Sequence, residues 1–160
     1  VVPVPEGTSV DADDIAGVSA VSGKIGVFWS NQSTDKFYFA VHDDGAGSTT
    51  SASSWKLEIV AAGGHVADDH FSMKVAADGR LFVTIKTSKT ASSDTLVGLF
   101  IRAANGTWSS CPGANLGAGA CASGGRSGTL VSGGNGLFQV MEGATNVGTA
   151  IGFFAQDSSG

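Results

Sequence analysis

Two acidic clusters hold the residue types that could do chemistry here: Asp13-Asp14 and Asp68-Asp69-His70. Asp14 precedes Asp69 by 55 residues, so an acid recurs at one position of a repeated unit. Carboxylates converging from such positions could coordinate Ca²⁺, a hard cation that takes oxygen ligands, and Asp14 and Asp69 are the metal candidates. Asp13, Asp14, Asp68, Asp69, His70 and Arg126 form the wider candidate set for hydrogen bonds to sugar hydroxyls. The competing role for each Asp is structural: it caps backbone N–H groups of a neighbouring unit and holds the units in register. His70 beside Asp69 has the composition of a proton-transfer pair. Adjacent residues on a strand point to opposite faces, however, so a partner for His70 is expected from elsewhere in the chain. His42 and His65 fall in loop sequence and are expected to be solvated. No catalytic residue set is assigned.

The two cysteines, Cys111 and Cys121, flank a Gly- and Ala-rich loop with no histidine close by in sequence. That rules against a tetrahedral zinc site and favours a disulfide, which would stabilise by roughly 2–3 kcal/mol.

The elements that must position these residues form a repeat. Ala67 to Ser88 reads as acidic loop, strand, tight turn and strand, with the turn at Ala77-Asp78-Gly79. Weaker copies flank it: Gly23 lies 56 residues before Gly79, and Gly136 lies 57 after it. A third strand follows in each copy (36–41, 95–102 and 149–155), and Trp55 and Trp108, 53 residues apart, each open a fourth. The runs are short or alternating, rich in Val, Ile and Phe, and end at Gly, Asn or Asp; none shows a capped helical stripe. The fold class is all-β. Four antiparallel strands per unit at this period predict β-propeller blades, about three in the chain. Blade one is expected over 13–64, blade two over 65–110, the cysteine loop over 111–128 and blade three over 129–160. The Pro-containing lead-in, 1–12, is expected to run extended along an outer edge or to hang loose.

Three blades do not close a ring. Open faces and an unpaired edge predict association with copies of the same chain, as a closed homo-oligomer or a polymer, unless further blades lie outside this sequence. The net charge of −5 and the pI near 4.9 argue against nucleic acid and against a polybasic membrane contact. No apolar run approaches the roughly 20 residues that span a bilayer. Few cysteines, little lysine and a start at Val1 without Met suggest a secreted, extracellular, trimmed chain.

Asp68-Asp69-His70, Asp78-Gly79-Arg80-Leu81-Phe82-Val83 and Asn105-Gly106-Thr107-Trp108 together resemble secreted bacterial-type β-propeller repeat proteins, distantly those of the sialidase class. Propellers of that class carry an Asp-box, Ser-x-Asp-x-Gly-x-x-Trp, before the fourth strand. Ala103-Ala104-Asn105-Gly106-Thr107-Trp108 is a shortened version of it. The resemblance implies a channel face on which an arginine triad works with a Tyr and Glu pair. Of the three arginines here, Arg80, Arg102 and Arg126, only Arg126 is placed for that face. The expected function is therefore an extracellular structural or binding module that self-associates and takes glycan or Ca²⁺ on its Asp-rich face. The alternatives are a fragment of a propeller-type glycoside hydrolase and a subunit of an extracellular filament.

Overall fold

Eight strands in two separate antiparallel sheets make up the core of the computed structural model, which describes residues 2–90 and 97–111. After a short helix, α1 (Pro5–Thr8), the first sheet is formed by β1 (Ala16–Val21), β2 (Lys24–Asn31), β3 (Lys36–His42) and β4 (Trp55–Ala62). The second is formed by β5 (Phe71–Val75), β6 (Leu81–Lys86), β7 (Val97–Arg102) and β8 (Trp108–Cys111). Each sheet runs in simple sequence order, every strand pairing with the next. The all-β expectation holds, with two four-stranded units lying within 13–64 and 65–111. Arg126, Cys121 and the expected third blade fall outside the described residues, and so does the expected Cys111–Cys121 disulfide.

Turn chemistry sets these hairpins. Ser22 and Gly23 adopt φ of 52° and 75°, the left-handed pair that a two-residue turn needs to match strand twist. In the second sheet Gly79 takes φ of 85° in the corresponding β5–β6 turn and Gly106 takes 92° in the β7–β8 turn, where Ala76 N–H bonds Arg80 O and Ala103 N–H bonds Thr107 O.

The sheets stack face to face in the same order. The first strands of the two sheets, β1 and β5, are neighbours, and a Cβ on Gly17 would lie 2.8 Å from Met73 Cε, so glycine permits their close approach. At the other side Phe39 meets Trp108 edge to face, with ring centroids 5.6 Å apart. Between them lie Val21, Phe28, Phe37, Phe39, Val41 and Val60 from the first sheet and Leu81, Val83 and Ile85 from the second, all buried. Each such side chain contributes roughly 1.5–3 kcal/mol through loss of apolar surface to water. A bulge between Phe37 and Tyr38 breaks the alternation along β4, so that Val60 and Ala61 both pack on this core while Ile59 points the other way.

The N-terminal segment departs from expectation. It neither hydrogen-bonds along an edge nor hangs free; it lies over the far face of the first sheet. Val2 and Val4 are buried there with Trp29, Tyr38 and Ala40. Pro5 opens the helix, where its missing N–H costs nothing. Trp29 Nε1 donates to Glu6 O at 2.9 Å and Asn31 Nδ2 to Ser9 O at 3.0 Å, which pins the segment to β2. Apolar contact and the backbone carbonyls freed at a short helix end together outweigh the extended preference of its prolines.

His42 is a second correction. It ends β3 and is 3% exposed, its ring packed edge-on to Trp55 at 5.1 Å, because strand pairing with Trp55 draws it under the sheet face. His65 is exposed, as expected.

Candidate functional site

The segment ahead of β5 carries the densest group of titratable side chains. Residues 66–70 form no regular structure, and Lys86 N–H bonding His70 O continues the β5–β6 hairpin one step beyond Phe71. That step brings the end of β6 beside the acids. Asp68 is 6% exposed and accepts hydrogen bonds from Lys86 Nζ at 2.5 Å, Ser88 Oγ at 3.2 Å and His70 Nδ1 at 2.9 Å. Ser88 Oγ also donates to Ala67 O at 2.7 Å. Burial works to raise the pKa of Asp68, but the bonds from Lys86 and His70 outweigh it and hold the carboxyl well below the usual range.

Asp69 and His70 do meet. Asp69 Oδ1 lies 2.5 Å from His70 Nδ1, against the expectation that the two side chains diverge. Alternation applies to a strand, and Asp69 sits in a bend before β5 begins. The hydrogen bond to Asp68 raises the His70 pKa, opposed by slight burial and aided by the nearby Asp69 charge. Both side chains stay open to solvent, at 45% for Asp69 and 66% for His70.

Asp14 does different work. Its Oδ1 accepts from Gln32 N–H at 2.9 Å and Ser30 Oγ at 3.2 Å, and its Oδ2 from Asp11 N–H at 2.8 Å. The carboxylate thus ties the approach to β1 to the β2–β3 turn within its own sheet. Asp13 is exposed. Among the described residues, the one group of three metal-ligating side chains near one another is Asp68, Asp69 and His70, without Asp14. The Lys86 ammonium already neutralises Asp68 there, and a cation would have to displace it. The donor set therefore suits Ca²⁺ poorly, since that ion needs several carboxylate or carbonyl oxygens free to turn toward it.

One polar cluster was not foreseen as a group. Glu58 on β4 receives Arg102 Nε at 2.8 Å, Arg102 Nη2 at 2.9 Å and Trp108 Nε1 at 2.7 Å, all from the second sheet. The Glu58 and Arg102 side chains are 8% and 7% exposed. Burial acts to raise the Glu58 pKa, and these bonds more than reverse it. A signal existed: Glu58 is the sole acid inside the described strands. Its pairing with Arg102 places that arginine between the sheets, and Arg80 bonds Asp78 across its own turn, so neither is free to serve a ligand. Trp29 and Tyr38, 3% and 2% exposed, are core residues and offer no stacking platform.

Comparison with protein-family models, curated proteins and solved structures finds no match for this chain. Among the described residues, no helix is long and apolar enough to cross a membrane.

Proposed function

We propose that this chain is an extracellular structural or binding module of stacked propeller blades, three in number, which associates with copies of itself through the sheet faces that stacking leaves open. The observation that carries this reading is the repeat-related contact between the two sheets. Inner strand lies on inner strand and outer side on outer side, as successive blades require, whereas a two-sheet sandwich would bring non-equivalent strands together. The second sheet supports a further blade: Phe82 on β6 and Leu99 and Ile101 on β7 alternate with the residues of the buried interface, so they face away from the first sheet. Residues 129–160, with their strand–turn–strand pattern, are the segment that would cover them. No arginine triad accompanies the acids among the described residues, which favours a binding or structural role over hydrolysis.

The binding part of the reading rests on Asp69 and His70. They are the solvent-open members of the cluster, and an acceptor next to an imidazole suits a sugar hydroxyl better than a metal ion.

Light scattering on a sizing column tests the assembly. A discrete oligomer of the 16.0 kDa chain is the expected result. A species that stays monomeric at every concentration would remove self-association from the reading, and open-ended particles would make the module a filament subunit.

A further inference from the structure

We infer that the far face of the first sheet is a docking face for a second copy of this chain, and that residues 2–9 are its displaceable cover. The inference rests on the stacked-blade reading. Strand register makes the argument. Ala16, Val18 and Ala20 pair with Trp29, Val27 and Ile25, just as Phe71, Met73 and Val75 pair with Ile85, Val83 and Leu81. His42 pairs with Trp55 as Arg102 pairs with Trp108. The face of the first sheet that carries Trp29 is thus the repeat counterpart of the face by which the second sheet docks on the first.

In the second sheet that face is filled. Its counterpart is only partly so. Residues 2–9 cover the centre, over Trp29, Tyr38 and Ala40, while the flanks are left to water: Val18 is 69% exposed, Ile59 56% and Ile25 39%. Arg102 finds Glu58 across the interface. The residue in its place, His42, is buried, and neither of its ring nitrogens has a hydrogen-bond partner among the described residues. An incompletely covered apolar face with an unsatisfied buried polar group is costly. The described residues already build one complementary surface, the near face of the first sheet, which receives the second. A second copy presenting an equivalent face head to tail would therefore repeat an interface the molecule makes within itself, and it would displace a segment held mainly by two valines and by hydrogen bonds from the Trp29 and Asn31 side chains.

The test uses the full chain in sedimentation velocity over a concentration series. Val2→Asp with Val4→Asp loosens the cover, and we expect association at a concentration at least about tenfold below wild type, from the burial those valines lose. Val18→Asp, at an exposed site that folding does not need, should abolish association in either background. A folded double variant that associates no more readily than wild type would overturn the inference, as would association indifferent to Val18→Asp. Wild-type association with neither variant shifting it would sink the docking face and leave the stacked-blade reading standing. Should the double variant unfold, hydrogen exchange at the Trp29 indole N–H of the wild type decides. Exchange faster than that of the Phe28 amide shows the cover opening, and exchange only with global unfolding refutes it.

Discussion

Replacing Glu58 with Gln removes the charge that ties β4 of the first sheet to β7 and β8 of the second. The carboxylate makes two bonds to one guanidinium and a third to an indole N–H, and both charged side chains are more than nine-tenths buried. Arg102 cannot shed its proton, so Glu58→Gln leaves a buried, uncompensated cation above the Phe39 ring. Breaking such a pair from one side costs roughly 3–5 kcal/mol, a large part of the 5–15 kcal/mol that hold a typical domain folded. At about 2–4 °C per kcal/mol for a chain of this size, the melting temperature should fall by about 6–20 °C. Lys56 also lies 3.4 Å from Glu58, but its side chain is 72% exposed and its share is small. Thermal unfolding followed by tryptophan fluorescence measures the loss, with Trp108 reporting from the cluster itself. The double variant Glu58→Leu with Arg102→Met removes both charges and should recover most of the stability. The reasoning fails if Glu58→Gln melts within about 2 °C of wild type, or if the two substitutions simply add, because coupled neighbours depart from additivity by about 0.5–3 kcal/mol.

Two further outcomes follow from the geometry. A Cβ on Gly26 would sit 2.3 Å from Phe39 Cζ, whereas one on Gly45 meets nothing within 4 Å. Gly26→Ala should therefore cost about 1–3 kcal/mol in urea unfolding while Gly45→Ala stays near zero, and equal effects would show that the Phe39 ring yields freely. The pH dependence has a definite sign. Asp68 and Glu58 have depressed pKa values, so what they contribute is present above their ordinary values of 3.8 and 4.5 and is lost as pH falls below them. His70 is raised above 6.5, so its contribution is complete below that value and fades as pH climbs through its folded pKa. These groups together favour a plateau from about pH 4.5 to 6.5, with a shallow alkaline decline because His70 is largely solvated. Asp68→Asn should flatten that decline and return the His70 ring signals in NMR toward pH 6.5, and a stability that rises from pH 6 to 8 would contradict the assignment. The same ring signals should move on addition of a sugar bound at Asp69 and His70.

The strands, their order and their turns could be read directly from the chain. Alternation, glycines with positive φ at Gly23, Gly79 and Gly106, and tryptophans opening β4 and β8 are local properties, and local properties decide hairpins. The hairpin centred on Asp78-Gly79 also set Lys86 beside the acidic segment, since counting outward from that turn puts residue 70 opposite 86, and the Lys86 side chain then reaches Asp68. Three features were decided only by the folded structure. Asp69 and His70 converge because Asp69 sits in a bend ahead of β5, where strand alternation does not apply. Glu58 finds Arg102 44 residues away, a pairing that no local rule specifies. Residues 2–9 cover the Trp29 face because that apolar surface has no neighbouring sheet among the described residues. Sequence by itself determined the repeat, its strand register and the acids at its recurring position. The tertiary structure alone decided which acid became a cap, which became an anchor between sheets and which stayed open to solvent. The physical reason is that a carboxylate's role depends on the donors packed around it, and those donors come from distant segments that only folding brings near.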